Sequence, residues 1–142
     1  MPLPPNRETV GVPITLAVMA TFSTPVSHML QRAQALRGLK AGTRRQEELC
    51  DASFLLSTAA QFHGTQAGRT CPVCASDELK EVLWVHGEEL GRASNTARTH
   101  EEILRMADAG AHFEVHTVEV CPACRWNHIL VARSVGPDEK PK

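Results

Sequence analysis

The sequence predicts an α+β fold: a zinc-ribbon-like three-stranded antiparallel sheet with a helical insertion, preceded by an α-helical hairpin. Three observations carry this prediction. Cysteine recurs as two matching Cys-Pro-x-Cys pairs, Cys71/Cys74 and Cys121/Cys124. β-rich runs follow the first pair and flank the second on both sides. Stretches of helical period lie ahead of the first pair and between the two.

Residues 1–25 are rich in Pro and Thr without an amphipathic period, which predicts a disordered tail or a start assigned too early, translation beginning at Met19 or Met29. Residues 26–68 are expected to form the helical hairpin. Met29, Leu30, Ala33, Leu36 and Leu39 recur at helical spacing, with Ser27 placed to cap and Gly42 to stop. Asp51 or Ser53 caps a second helix through Phe54, Leu55, Thr58, Ala59 and Phe62 that ends at Gly64. The two helices then pack on each other or onto the metal module.

Residues 69–136 are expected to form the zinc-ribbon domain. Leu79 to His86 is a strand ended by Gly87, and Glu88 to Arg98 is a polar stretch with turn formers. Thr99-x-x-Glu102 matches a capping box, in which hydroxyl and carboxylate satisfy backbone N–H groups reciprocally. The helix it opens carries Ile103, Leu104, Met106 and Ala107 and stops at Gly110. Phe113 to Val120 is the second strand and Asn127 to Val135 the third, with residues 137–142 a charged tail.

Two residues between cysteines let both thiolates face one ion from a single turn, and two such turns complete the tetrahedron that zinc prefers. Cys71, Cys74, Cys121 and Cys124 are therefore the expected ligands of a structural Zn2+. The 46 residues between the pairs exceed ordinary ribbon spacing, and the insertion accounts for the excess. The alternatives are a redox pair, two disulfides or an iron–sulfur cluster. Four cysteines would close the sphere, whereas a catalytic zinc keeps one position open. A deaminase could use His86-Gly87-Glu88 with the second pair, but Cys71 and Cys74 would then have no role.

Charge and size set further bounds. The chain has 142 residues, enough for one ordinary domain, and a formal net charge of −1 with its charges interspersed. Its one compact basic stretch holds Arg32, Arg37, Lys40, Arg44 and Arg45, read as a solvated helix face or as a phosphate track. Charge thus favours a protein partner over nucleic acid. The apolar stretch Val10 to Phe22 is broken by Pro13, lacks a signal-cleavage pattern and is too short to span a bilayer. A cytoplasmic location without membrane contact is expected. Trp84, His86, Trp126, Asn127 and His128 are the candidates for supporting the metal or forming an interaction edge, His128 through a hydrogen bond to a zinc thiolate. Cys50 reads as a small buried hydrophobe.

The runs Glu48-Leu-Cys-Asp-Ala-Ser53, Phe62-His-Gly64, His86-Gly-Glu-Glu-Leu-Gly91 and Val118-Glu-Val-Cys-Pro-Ala-Cys-Arg-Trp-Asn-His128, with the first cysteine pair, carry a resemblance. Together they resemble a family of small actinobacterial proteins, a domain of unknown function with a zinc-ribbon-like cysteine pattern. The resemblance spans about residues 26–136; it implies the fold and the metal and no particular activity.

The function expected on these grounds is a non-enzymatic zinc-ribbon adaptor on a large machine, RNA polymerase first. The alternative is a direct RNA-binding or ribosome-associated ribbon, using the basic stretch with Trp84 or Trp126. An enzyme acting at the Asn127–His128 edge is the weaker third reading.

Overall fold

In the computed structural model of the chain, which describes residues 20–137, short strands frame the helices and long strands follow the cysteine pairs. The elements run β1 (Ala20–Phe22), β2 (Val26–Ser27), α1 (Met29–Ala41), α2 (Gln46–Leu49), α3 (Phe54–His63), β3 (Thr65–Gln66) and β4 (Lys80–His86). A 3-10 segment, Glu88–Ala93, then leads to β5 (Thr96–Ala97), α4 (His100–Asp108), β6 (Phe113–Val120) and β7 (Asn127–Pro137).

All pairings are antiparallel. The sheet order is β1-β7-β6-β4-β3, with β2 also along β7 and β5 also along β4. The fold is α+β as expected, and its spine is the three long strands that the sequence announces. Four short strands widen the sheet beyond those three. β6 is central: Lys80 pairs with Val120 and His86 with Glu114 on one side, Phe113 with Val135 on the other. A register shift between Thr117 and Val118 bends the β6–β7 ladder.

Strand alternation divides the sheet into two covered faces. Val82, Val118 and Val120 point to one, where they pack with Ala52 and with Ala60 of α3. Val85, Phe113 and Val115 point to the other, against Ile103 and Ala107 of α4. At the cysteine end of this second face, Ala35 of α1 packs with Leu49, Leu79, Trp126, Cys71 and Cys121.

α1 and α3 consequently lie on opposite faces of the sheet, not against each other as a hairpin. α1 turns Ala35 into the core at the cysteine end, and α3 turns Ala60 into the core on the other face. The first strands bring a second correction. Residues 20–25 are not tail, because Phe22 pairs with Val135 and the Ser23 N–H donates to the Ser134 carbonyl at 2.9 Å. The rest of the expected N-terminal tail, residues 1–19, and residues 138–142 of the charged tail lie outside the described residues.

Local signals explain the helix ends. His28 holds the N-cap position of α1, with the Ser27 hydroxyl accepting from the Met29 N–H at 3.2 Å. Gly42 closes α1 at φ 84°, a left-handed conformation that glycine adopts without steric cost. Ser53 caps α3 by accepting from the Leu56 N–H. A Cβ at Gly64 would come within 2.6 Å of the Ala60 carbonyl oxygen and 2.9 Å of the Lys80 side chain, so glycine lets α3 turn directly into the sheet. The Thr99–Glu102 capping box forms in both directions, at 3.1 and 2.8 Å. Among the described residues, no helix is long and apolar enough to cross a membrane.

Candidate metal centre

The two Cys-Pro-x-Cys turns fold alike. In the first, the Ala75 N–H donates to the Cys71 carbonyl at 2.9 Å and the Cys71 N–H to the Ser76 carbonyl at 2.8 Å. In the second, Arg125 donates to Cys121 and Cys121 to Trp126, both at 2.8 Å. Each turn ends on a non-glycine residue in left-handed conformation, Ala75 at φ 67° and Arg125 at φ 74°. The N–H groups of Val73 and Cys74 point at the Cys71 sulfur, at 3.4 and 3.5 Å, as donors that temper a thiolate's charge.

Because β4 and β6 pair from Lys80 and Val120 onward, the strands bring the two turns side by side. All four sulfurs lie within 4.8 Å of one another, with Cys71–Cys124 at 3.7 Å and Cys74–Cys121 at 3.6 Å. Thiolates about 2.3 Å from a tetrahedral zinc stand about 3.8 Å apart, so the separations match those around a single ion. Among the described residues this is the one cluster of three or more such side chains able to hold a metal ion. Burial pushes the Cys71 and Cys121 thiols up to about 11 and Cys124 to about 12. Burial would also raise Cys74, but the Ser76 N–H and the neighbouring thiols outweigh it and lower that group. A cation is what would hold four such sulfurs together as thiolates.

Beneath the cysteines lies a buried carboxylate, Glu119, fully shielded from solvent. The Trp126 indole N–H donates to it at 2.7 Å. Arg32 of α1 donates to both of its oxygens, at 2.8 and 3.2 Å, and Arg69 reaches it at 2.6 Å. Burial works to raise the Glu119 carboxyl, but these donors prevail and hold it below the usual carboxylate range. Arg32 is therefore inside the fold, not on a basic surface. Glu119 and Arg69 escape the sequence reading; the available signal was a carboxylate at an inward position of an alternating strand.

Cys50 is half-buried and packs against the core at the cysteine end, as a small hydrophobe would, and its sulfur also lies 3.7 Å from that of Cys124. The chain after it is tied to the second turn. Ala52 N–H donates to the Arg125 carbonyl at 3.0 Å, Arg125 Nε donates to the Ala52 carbonyl at 2.8 Å, and Asn127 Nδ2 donates to Asp51 Oδ1 at 3.0 Å.

The remaining candidates separate. Trp84, His86 and Asn127 line a cleft of about 410 Å3 between the start of α3 and the sheet, with Asn95 and His116. His86 Nδ1 stands 3.1 Å from Asn95 Oδ1 at the end of β4 away from the cysteines, so a deaminase pairing of His86 with the second turn is not built. Trp126 is fully buried in the metal-end core, and His128 stacks on it with ring centroids 5.8 Å apart. His128 Nδ1 meets the Ile129 carbonyl at 2.8 Å instead of a thiolate. The basic stretch is broken up: Arg44 and Arg45 pair with Glu48 at 3.2 and 3.8 Å, which leaves Arg37 and Lys40 without an ion pair among the described residues.

Residues 19–142 match the model of a family of unknown function, DUF5318. Two similar proteins are the uncharacterized protein Rv0049 of Mycobacterium tuberculosis and the uncharacterized protein Mb0050 of Mycobacterium bovis. Each is 40% identical over 111 residues, which covers 78% of this chain and 81% of the relative. No solved structure matches the chain.

Proposed function

The chain belongs to the DUF5318 family of unknown function, and from the site it carries we propose a non-enzymatic zinc-ribbon adaptor. It would act in the cytoplasm by docking on a macromolecular machine, with RNA polymerase the first partner to test. The observation that carries this reading is the four-sulfur set, whose spacing suits one tetrahedral Zn2+ with no position left for water or substrate. A surface for docking supports it. Phe54, Leu55 and Phe62 on α3 are exposed by 80, 68 and 69%, and their spacing of seven and eight residues places them on one outward stripe. Zinc ribbons recur as docking modules in transcription machinery, an analogy at the level of fold. Direct RNA or ribosome binding has less behind it, because Arg32, Arg44 and Arg45 are engaged by carboxylates.

Native purification of the tagged full-length chain tests the proposal. Elemental analysis should find a single zinc, and mass spectrometry should find polymerase subunits that a Phe54→Asp/Phe62→Asp variant loses while keeping its zinc. Recovery of neither polymerase nor ribosomal subunits would end the adaptor reading. RNA binding that weakens steeply with salt would instead favour the alternative.

A further inference from the structure

We propose that Cys50 and Cys124 form an oxidation site through which a peroxide opens the metal centre and releases its ion. The inference rests on the zinc reading above and adds a modification site to it. The Cys50 sulfur lies 3.7 Å from that of Cys124, the same separation that Cys124 keeps from its fellow ligand Cys71. Zinc takes four thiolates, and the four-sulfur set is complete without Cys50. Cys50 is thus a surplus thiol in contact with a ligand.

Its placement is built into the fold. The hydrogen bonds from Ala52 to Arg125, from Arg125 to Ala52 and from Asn127 to Asp51 tie the residues after Cys50 to those after Cys124. A disulfide requires the two sulfurs to close to about 2.05 Å, a movement of side chains between backbones already held together. The centre is also open to a small oxidant. Cys50 and Cys124 are partly exposed and Cys74 is exposed, whereas Cys71 and Cys121 are buried.

The chemistry balances with hydrogen peroxide as oxidant. The Cys50 sulfur attacks one peroxide oxygen and gives up its proton, the O–O bond breaks, and Cys50 sulfenic acid and water form. The Cys124 thiolate then displaces the sulfenic hydroxyl, which leaves as hydroxide, and the Cys50–Cys124 bond forms. The two sulfurs have given two electrons to one peroxide, which ends as two waters after protonation of the hydroxide. A bound ion would be left with three ligands, one short of the set that holds it.

Zinc-loaded full-length protein would be treated with hydrogen peroxide in the presence of a chromogenic zinc chelator, followed by peptide mapping. The wild-type chain should release zinc in step with a first disulfide between Cys50 and Cys124, and thiol reductant with added zinc should restore it. Cys50→Ser and Cys50→Ala should hold zinc as the wild type does and release it several-fold more slowly under peroxide. A first disulfide between two ligand cysteines would overturn the proposal, as would release from both variants at the wild-type rate. Failure of both variants to hold zinc would overturn it too, because Cys50 would then be a ligand and not a spare thiol. A purified chain without zinc would fail the metal reading itself, whereas a zinc-loaded chain that never joins Cys50 to Cys124 overturns this inference alone.

Discussion

Glu119 shows how a single side chain can tie the layers of this fold together. Its carboxylate joins α1 through Arg32, the approach to the first cysteine turn through Arg69, and the core beneath the four sulfurs through Trp126. Removing the charge strands two guanidiniums beside a neutral amide, and breaking a buried ion pair from one side costs about 3 kcal/mol. Glu119→Gln should therefore lower the unfolding free energy by about that much, read as a lower urea midpoint at unchanged slope, whereas Glu48→Gln, at an exposed pair, should leave the midpoint close to where it is. At this scale the clustering of the four cysteines was legible because their spacing is itself the chemistry. Glu119 was not, since a carboxylate in a strand ordinarily faces water. Cys50 was not either, because its contact with Cys124 spans 74 positions and no local pattern encodes it. Ala75 and Arg125 hid their left-handed conformations for a related reason: glycine or asparagine usually marks such a turn, and here neither does.

Helix and strand positions follow from period and caps, which the sequence states openly. The Thr99–Glu102 box opens α4 on both counts of hydrogen bonding, and Ile103 and Ala107 then reach the sheet. Thr99→Ala should cost about 1 kcal/mol in thermal or urea unfolding, the usual loss of a hydroxyl cap. Its zinc content should be unchanged, because α4 covers the part of the sheet remote from the cysteines. What the elements could not announce is what each would cover. A helical stripe says that one face is buried, not against which surface, so α1 and α3 read as a hairpin or as packed onto the cysteine module; α1 does pack at the cysteine end, and the two lie on opposite faces of the sheet. β1 and β2 were illegible because two- and three-residue strands carry no period; they exist through β7, which pairs with both.

For the whole molecule, an ion held by the four clustered cysteines would join two stretches of chain that the sheet also joins, so folding and ion binding should be one process. In the metal-free chain the proton chemistry of the site governs stability. The thiols of Cys71, Cys121 and Cys124 sit in the folded chain at about 11 to 12, above their ordinary 9.0. A raised folded value means that the folded state holds these protons more tightly than the unfolded state does. That stabilisation is present below pH 9 and is lost as pH rises through about 11 to 12. The melting temperature of the metal-free chain should therefore fall across the alkaline range, and that of the zinc-loaded chain, whose thiolates are already ionised, should fall much less. Differential scanning calorimetry at a series of pH values distinguishes the two.

β7 also has a consequence in time. Synthesis delivers the chain from its N-terminal side, and β1, β2, α1 and β6 all wait for partners within residues 127–137. The second pair of sulfurs arrives only just before them. While the chain is being made, its helices and β4 are thus present without the strand that organises them, and the first cysteine pair has no counterpart with which to enclose an ion. Capture of an ion would then be a late event that coincides with closure of the sheet, and a nascent chain stalled before Cys121 would leave its apolar stripes to chaperones.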